Sequence, residues 1–225
     1  FNKEKTELIA CPLGSRGGFE VPNSVATIKV GAFNGCSGLT SVFIPDSVTV
    51  IEMNAFSSCM GLSSCRMSYS VKVIGDWAFY GCSELTSIVL PDTLESIGES
   101  AFRGCNGLSS IVLPPLITSI SDYAFDECSN LASVAIPNSV TSIGQNAFSN
   151  CKALTSVTIP DSVVIIGESA FMSCENLRTV VIPSSVTEIG SGAFVCCGNL
   201  EPGSIPDKFA EIAMTQSNPF FLFEI

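Results

Sequence analysis

The chain of 225 residues contains no histidine, and charged residues of all kinds make up only 14% of it. The missing histidine removes the commonest general base and the usual partner of a serine or cysteine nucleophile, which weakens an enzymatic interpretation. Only ten lysines and arginines are present, scattered along a chain whose net charge is -11. Because nucleic-acid affinity comes mainly from clustered cations, this composition argues against a nucleic-acid partner.

Long hydrophobic runs are also missing. No apolar run approaches the 18 or more residues that a transmembrane helix requires, and the terminal "FFLFEI" is too short. The sequence also lacks the pattern of an export signal, which is a positively charged segment followed by an apolar one. Since the chain starts at Phe1 in the middle of its pattern, we expect a fragment of a larger protein, with any signal removed or not included.

What the sequence does contain is a repeat of 23 residues. The pair Ala-Phe occurs eight times at this spacing without an insertion, a cysteine follows three residues after each Phe, and a leucine three residues after each of those cysteines. Proline follows an aliphatic residue in eight periods, and only Ser68 interrupts that column. The phenylalanines are Phe33, Phe56, Phe79, Phe102, Phe125, Phe148, Phe171 and Phe194. Strict identity at a fixed period indicates a stacked repeat architecture.

Each period predicts two short strands and a turn. In "LTSVTIP", the alternation of Val157 and Ile159 with polar residues indicates a short strand that ends at Pro160. "DSVVIIG" predicts a second extended piece with Ile166 inward, and "ESAFMSC" a tight turn or one helical turn that returns Phe171 to the interior. About eight apolar groups per period bury one another only when coils stack, with counterparts about 4.8 Å apart. The sequence therefore predicts a curved solenoid with a parallel sheet along one face.

The repeat "LxxVxIPxSVxxIGxxAFxxCxxL" resembles that of the Bacteroides surface protein A-like (BspA-like) leucine-rich repeat family, over roughly residues 19–212. The resemblance implies an α/β leucine-rich-repeat solenoid, mainly β. Its right-handed 23-residue coils would place a parallel sheet on the concave face and short strands or single helical turns elsewhere. It also implies a secreted or surface-attached binding protein with a role in adhesion, hence an extracellular or cell-surface location.

One domain is expected to span residues 1–225. Its parts are an irregular N-terminal repeat (1–31), regular repeats (32–212), and a C-terminal cap or truncated repeat (213–225). Phe19 and Val21 match inward strand positions, and Ile205 and Ile212 keep the pattern at the other end. An open solenoid end exposes core and sheet edge, so an atypical apolar tail suits a cap.

The eleven cysteines are interpreted as core residues. Stacked cysteines have parallel Cβ vectors, which is poor geometry for a disulfide, and a zinc site lacks both histidine and a CxxC motif. Small thiols filling a column beneath Phe explain the pattern better. Cys65 replaces Val at an inward position, whereas Cys196 lies in a polar column and is expected to be the most exposed thiol.

Three acidic residues fall in one column on successive coils: Asp76, Glu99 and Asp122. Carboxylates about 5 Å apart can bind Ca²⁺, or perform acid–base chemistry if a cleft raises the pKa of one of them. The alternative is that all three point into water on a turn. We therefore predict no cofactor and keep calcium as a secondary candidate.

Two surfaces are candidates for a partner. On the sheet face, one outward column forms a mildly apolar stripe with one cation, comprising Phe43, Arg66, Val89, Val112, Ala135, Thr158 and Val181. At the turn edge, Trp77, Tyr80 and Tyr123 lie in neighbouring columns with Met53. Aromatic and arginine side chains are typical of the centres of protein interfaces.

The sequence favours a non-catalytic interaction module that binds a protein or glycan. A structural spacer that presents another domain is the first alternative, and an enzyme with a carboxylate site is the second. No short motif encodes the ligand of a solenoid surface, and the oligomeric state stays open.

Overall fold

The computed structural model describes residues 1–215, which form a parallel-strand β-solenoid of about eight turns with about 23 residues per coil. One side of the coils, here called the long-strand face, carries one strand of three to six residues per regular coil. Its strands are β2 (Gly17–Glu20), β4 (Leu39–Ile44), β6 (Ser64–Met67), β8 (Ser87–Val89), β10 (Ser110–Val112), β12 (Ser133–Ala135), β14 (Ser156–Thr158) and β16 (Thr179–Val181). The sequence prediction of a parallel solenoid is confirmed.

A second side, the short-strand face, carries two-residue strands. They are β1 (Glu7–Leu8), β3 (Thr27–Ile28), β5 (Val50–Ile51), β7 (Val73–Ile74), β9 (Ser96–Ile97), β11 (Ser119–Ile120), β13 (Ser142–Ile143), β15 (Ile165–Ile166) and β17 (Glu188–Ile189). Pairing is parallel throughout, and from β3 onward each residue pairs with its counterpart 23 positions away, as Ile51 does with Ile74. Each isoleucine of this column is buried because successive residues of a strand point to opposite sides.

The third side is the turn edge, which contains the Ala-Phe-x-x-Cys segments. These segments are tight turns closed by bonds such as Ala78 N–H to the Gly75 carbonyl (3.2 Å), and not helical turns. Phe79 N–H donates to the carbonyl of Ala101 in the next coil (2.8 Å), and the pattern recurs along the stack. Neighbouring coils are thus joined by backbone hydrogen bonds at this edge as well.

The core is built from ladders of identical side chains. All eight repeat phenylalanines are buried, and consecutive rings are stacked with centroids 4.7 to 5.5 Å apart. Seven cysteines of the ladder each donate the thiol to a phenylalanine carbonyl of the preceding coil, as Cys59 does to Phe33 (3.0 Å). The thiol fits because it is small, apolar and still a hydrogen-bond donor. Cys65 is also buried and Cys196 is exposed, as predicted.

Both sheets are interrupted at one coil boundary, here called the seam. Within residues 1–215, β8 does not pair with β10, and β9 does not pair with β11. The turn edge stays joined there, since Phe102 N–H donates to the Ala124 carbonyl (2.9 Å). The spacing between Phe102 and Phe125 is 5.5 Å, the widest step of the stacked rings. A further break on the long-strand face separates β12 from β14.

Two departures from the repeat explain the seam. Ser121 occupies a column that holds glycine in five other coils, where a Cβ would collide with the preceding coil; at Gly98 it would lie 2.5 Å from Asp76 N. Leu116 lies in a column where other coils have Ser or Thr. Such a hydroxyl can donate a hydrogen bond to the preceding coil, as Ser139 Oγ does to the Ile117 carbonyl (2.6 Å). The first change keeps the coils apart, and the second removes a bond between them.

The ends of the stack differ from the regular coils. At the N-terminus Val21 is buried and the Phe19 ring meets Phe33 edge-on at 5.1 Å. At the C-terminus the helix α1 (Asp207–Met214) takes the place of a ninth coil. The Ala213 carbonyl of this helix accepts a hydrogen bond from Phe194 N–H of the last coil (2.9 Å). The regular coils therefore end before residue 212, earlier than predicted.

Helix formation also changes which residues face inward. Phe209 and Ala213 are buried, whereas Ile212, predicted to keep the inward pattern, is 46% exposed. In a helix, residues four apart share a face, so Phe209 and Ala213 cover the last coil together. The predicted segment 213–225 lies mostly outside the described residues.

Candidate binding surfaces

The outward column of the long-strand face is assembled as the register requires. Phe43 pairs with Arg66, and Arg66 with Val89; further along, Val112 pairs with Ala135 and Thr158 with Val181. From Arg66 onward every member of this column is exposed, and Phe43 is half-buried. The sequence-predicted residues thus form one line across the coils, interrupted at the seam and again between β12 and β14.

The N-terminal part of this face forms a shallow hollow of about 630 Å³. Arg66 Cζ lies 5.6 Å from the centroid of the Phe43 ring, and Glu20 occupies the preceding position of the column. Gly18, Ser41 and Ser64 form the small-residue floor beside them. The hollow therefore offers an aromatic face and charges of both signs to a partner.

At the seam, a second groove of about 480 Å³ opens on the same face. Val89 and Val112, at 77% and 70% exposure, stand on either side of the boundary, with Leu90 and Leu113 beneath them. Exposed valines at a sheet interruption present apolar surface that no other residue of the described chain covers. Apolar patches of this kind mark interaction sites when they are contiguous.

The turn edge places two large aromatics where the backbone is left-handed. Trp77 and Tyr123 have φ of 52° and 56°, in a column otherwise filled by small or amide residues. The other members are Gly31, Asn54, Ser100, Asn146, Ser169 and Gly192. A left-handed conformation costs an L-residue roughly 1–2 kcal/mol, which glycine avoids and asparagine reduces. The fold does not require aromatic rings here, so their presence needs another reason.

Arg103 connects the two tyrosines of this edge. Its guanidinium lies 5.7 Å from the centroid of the Tyr123 ring, and the Tyr80 hydroxyl contributes to raising the pKa of Arg103. Nη2 donates to Glu127 Oε1 (2.8 Å), the main cause of that raised pKa. Nε lies 3.1 Å from Asp126 Oδ2 without the alignment of a hydrogen bond.

Asp126 is a buried carboxylate whose burial and pairing with Arg103 the sequence did not predict. Burial raises its pKa above the ordinary value, while a hydrogen bond from Asn150 (3.3 Å) and the charge of Arg103 lower it again. Arg103 and Asp126 share one column on adjacent coils, which is the only sequence signal that could have identified the pair. The cluster fixes Arg103 between the aromatic side chains.

The acidic column lies beside the aromatics and borders a groove of about 590 Å³ on the short-strand face, at the seam. Asp76 Oδ1 accepts the backbone N–H of Glu99 (2.8 Å), and Asp122 Oδ1 that of Gln145 (2.7 Å). These bonds hold successive coils together. Within residues 1–215, no three or more His, Cys, Asp or Glu side chains are grouped to hold a metal ion. Calcium binding by the acidic column stays an untested secondary candidate.

Eight of the ten buried thiols are not poised for nucleophilic chemistry; the pKa of Cys197 differs, because a hydrogen bond with the Cys174 thiol lowers it. Burial raises the pKa of Cys36 to about 11 and that of Cys59 to about 12, and it raises the pKa of Cys82 and Cys105 as well. A reactive cysteine requires a thiolate, so a raised pKa and an enclosed position oppose reactivity. Their role is packing and coil-to-coil hydrogen bonding.

Comparison with known proteins agrees with this architecture. The family description "BspA type Leucine rich repeat region (6 copies)" matches residues 15–129 and 96–218. No curated protein matches the chain significantly. None of the helices in residues 1–215 is long and apolar enough to cross a membrane.

Three solved structures illustrate the similarity. A leucine-rich repeat protein from Bacteroides ovatus is 33% identical, with a TM-score of 0.67 over 82% of this chain and 54% of that one. The T. pallidum leucine-rich repeat protein is 27% identical, with a TM-score of 0.68 over 88% and 86%. A leucine-rich cell surface protein from Faecalibacterium prausnitzii is 25% identical, with a TM-score of 0.57 over 91% and 92%.

The chain thus spans about half the length of the Bacteroides ovatus protein. The repeat, the stacked phenylalanine and cysteine ladders and the matched residues agree, and the chain belongs to the BspA-type leucine-rich repeat proteins, relatives of bacterial cell-surface leucine-rich repeat proteins.

Proposed function

We propose that this chain is a non-catalytic interaction module that binds a protein partner through its long-strand face, in a secreted or cell-surface protein concerned with adhesion. The observation that carries the proposal is the outward column of Phe43, Arg66, Val89 and Val112, which is exposed or half-exposed and contributes nothing to the ladders of the core. Aromatic and arginine anchors beside exposed apolar residues are what protein interfaces use at their centres.

Two further observations support a binding role over catalysis. The chain contains no histidine, and eight of the ten buried thiols have raised pKa values, so neither histidine nor these eight thiols supply a nucleophile or general base. One neighbouring structure is that of a protein described as a cell surface protein, which fits an exposed module. Regular coils also offer a long surface on which binding residues vary without disturbing the core.

The experiment measures binding of the immobilised 225-residue chain to purified extracellular-matrix proteins and to mucin by surface plasmon resonance. Phe43→Ala with Arg66→Ala, and separately Val89→Ser with Val112→Ser, are expected to weaken binding at least about tenfold. The control is Val164→Ser with Ile165→Ser, which removes two exposed apolar side chains, each 41% exposed, from the short-strand face.

Circular dichroism and thermal melting check that each variant keeps the fold. Equal binding by all variants, or no binding to any probe, would overturn the proposal and favour the spacer. Binding to mucin alone that is lost on deglycosylation would replace the protein partner by a glycan.

A further inference from the structure

The aromatic side chains of the turn edge do not belong to the core ladders, although Trp77 and Tyr123 are half-buried. The core of every coil is filled by the Ala, Phe and Cys of the repeat, all buried. Trp77 and Tyr123 occupy left-handed positions that the remaining coils fill with Gly, Asn or Ser, and Tyr80 is 39% exposed. Two of these rings therefore stand at positions where the backbone favours glycine or asparagine, beside an arginine held by Asp126 and Glu127.

Carboxylates outnumber cations around these rings. Asp76 and Asp122 directly precede Trp77 and Tyr123, and Glu99 lies between them in the same column. Arg103 is the only cation in the sequence from residue 76 to 127, and its charge is neutralised by two carboxylates. Asp76, Glu99 and Asp122 therefore leave net negative charge beside the aromatic surface, although the Arg103 guanidinium lies 5.7 Å from the centroid of the Tyr123 ring.

We propose that this aromatic patch, Trp77, Tyr80 and Tyr123, docks a basic, Arg- or Lys-bearing segment of a partner protein. Aromatic faces attract guanidinium and ammonium groups, and the surrounding carboxylates supply the complementary charge. The proposal rests on the interaction role proposed above, but it concerns a different surface from the long-strand face.

The open groove beside the acidic column gives such a segment room to lie along the coils. It is formed at the seam, where Ser121 keeps β9 and β11 apart, and Asp76, Glu99 and Asp122 form one wall. Because Asp76 and Asp122 are already anchored through Oδ1 to backbone amides, their carboxylates are held in place before any partner arrives. Pre-organised groups lose less freedom on binding.

Trp77 is the only tryptophan of the chain, so its fluorescence reports on the patch directly. The probe is a synthetic peptide of repeating Arg-Ser-Leu units, titrated into the full chain at low and high salt. A matching peptide with Gln for each Arg is the ligand control. We expect a saturable Trp77 signal for the Arg peptide, at least about tenfold weaker for the Gln peptide and weaker in high salt.

Two variants test which residues act. Tyr80→Ala with Tyr123→Ala removes rings, and Asp76→Asn with Asp122→Asn removes charge while keeping an Oδ1 acceptor; each is expected to weaken peptide binding at least about tenfold. Asp92→Asn with Asp161→Asn, which removes two exposed carboxylates from the turns after proline, is expected to change nothing.

The outcomes separate this proposal from the proposed function. No Trp77 response, or a response to both peptides alike, overturns the docking of a basic segment. A response to neutral oligosaccharides in place of the Arg peptide assigns the patch to a glycan and also overturns it. If matrix-protein binding persists and is lost only on Phe43 and Arg66 substitution, the function of the long-strand face stands without this second site.

Discussion

Ser121 Oγ donates a hydrogen bond to the Ile97 carbonyl at 2.6 Å, and this carbonyl is the counterpart of the one that a glycine amide reaches in neighbouring coils. The equivalent bonds are Gly98 N–H to Ile74 and Gly144 N–H to Ile120, both 2.8 Å. At the seam a side-chain hydroxyl therefore replaces the backbone amide as the donor to this carbonyl. The sheet pairing of β9 with β11 is lost there.

Ser121→Gly is expected to close the seam on the short-strand face. Without the Cβ, the backbone N–H of residue 121 can reach the Ile97 carbonyl as it does at Gly98 and Gly144. Hydrogen exchange measured by NMR should show the amide of residue 121 slowing to the rate of those two glycines. An amide that stays fast would show that Leu116, and not Ser121, keeps the coils apart.

Gly98→Ala is expected to do the reverse. A Cβ here would lie 2.5 Å from Asp76 N and 2.6 Å from Gly75 C, so the backbone must shift, at a cost of roughly 1–3 kcal/mol in the free energy of unfolding. Urea denaturation measures the change. Gly198→Ala is the control, because no atom lies within 4 Å of the added Cβ; similar losses in both variants would contradict the crowding argument.

Arg103→Ala is expected to destabilise the chain by about 2 kcal/mol, since it leaves the buried Asp126 carboxylate without its cation. This loss in the free energy of unfolding should become smaller at acidic pH. The raised pKa of Asp126 lets the carboxyl protonate as the pH falls, and a neutral carboxyl needs no counter-charge. Lys72→Ala is the control, because its half-exposed pair with Glu95 contributes about 0.5 kcal/mol or less. Thermal or urea unfolding from neutral to acidic pH distinguishes the two.

Stability is expected to fall steeply at alkaline pH because of the thiol ladder. Burial raises the pKa of Cys59 to about 12 from an ordinary value of 9, so its contribution is fully present below 9 and is lost as the pH rises toward 12. Each such thiol contributes a slope of about 1.4 kcal/mol per pH unit in that window.

Cys59→Ser keeps a donor to the Phe33 carbonyl but does not ionise, and should reduce the slope of unfolding free energy against pH by one proton. Cys196→Ser, which changes an exposed thiol, should leave the slope as it is. If both variants give the same slope as the parent chain, the ladder thiols do not control alkaline unfolding.

Calcium is expected to leave the melting temperature unchanged. Asp76 and Asp122 each commit Oδ1 to a backbone amide of the next coil, which leaves the acidic column poorly arranged to surround an ion. Melting with added Ca²⁺ and with a chelator tests this. A chelator-sensitive transition that disappears in Asp122→Asn would contradict this expectation and support the calcium site.

The interior of the solenoid was readable from the sequence because one pattern is repeated eight times. A single phenylalanine such as Phe171 is only a weak indication of a buried position. Eight phenylalanines at a constant spacing predict a stacked ladder, and the rings are buried and stacked. The same reasoning identified Cys65 as buried and Cys196 as exposed. The outward column from Phe43 to Val181 also followed from the register, because strand residues alternate between the two sides of a sheet.

The sequence by itself determined the coil length, the identity of the core ladders and the residues that face outward, since all three follow from a strict period and from strand alternation. Only the tertiary structure decided where the coils separate, how Arg103 is held by the buried Asp126, and that α1 turns Ile212 outward. The physical reason is that each of these depends on the distance between neighbouring coils or on a change of backbone geometry. A single Cβ at Ser121, or eight residues adopting a helix, alters both without changing the period.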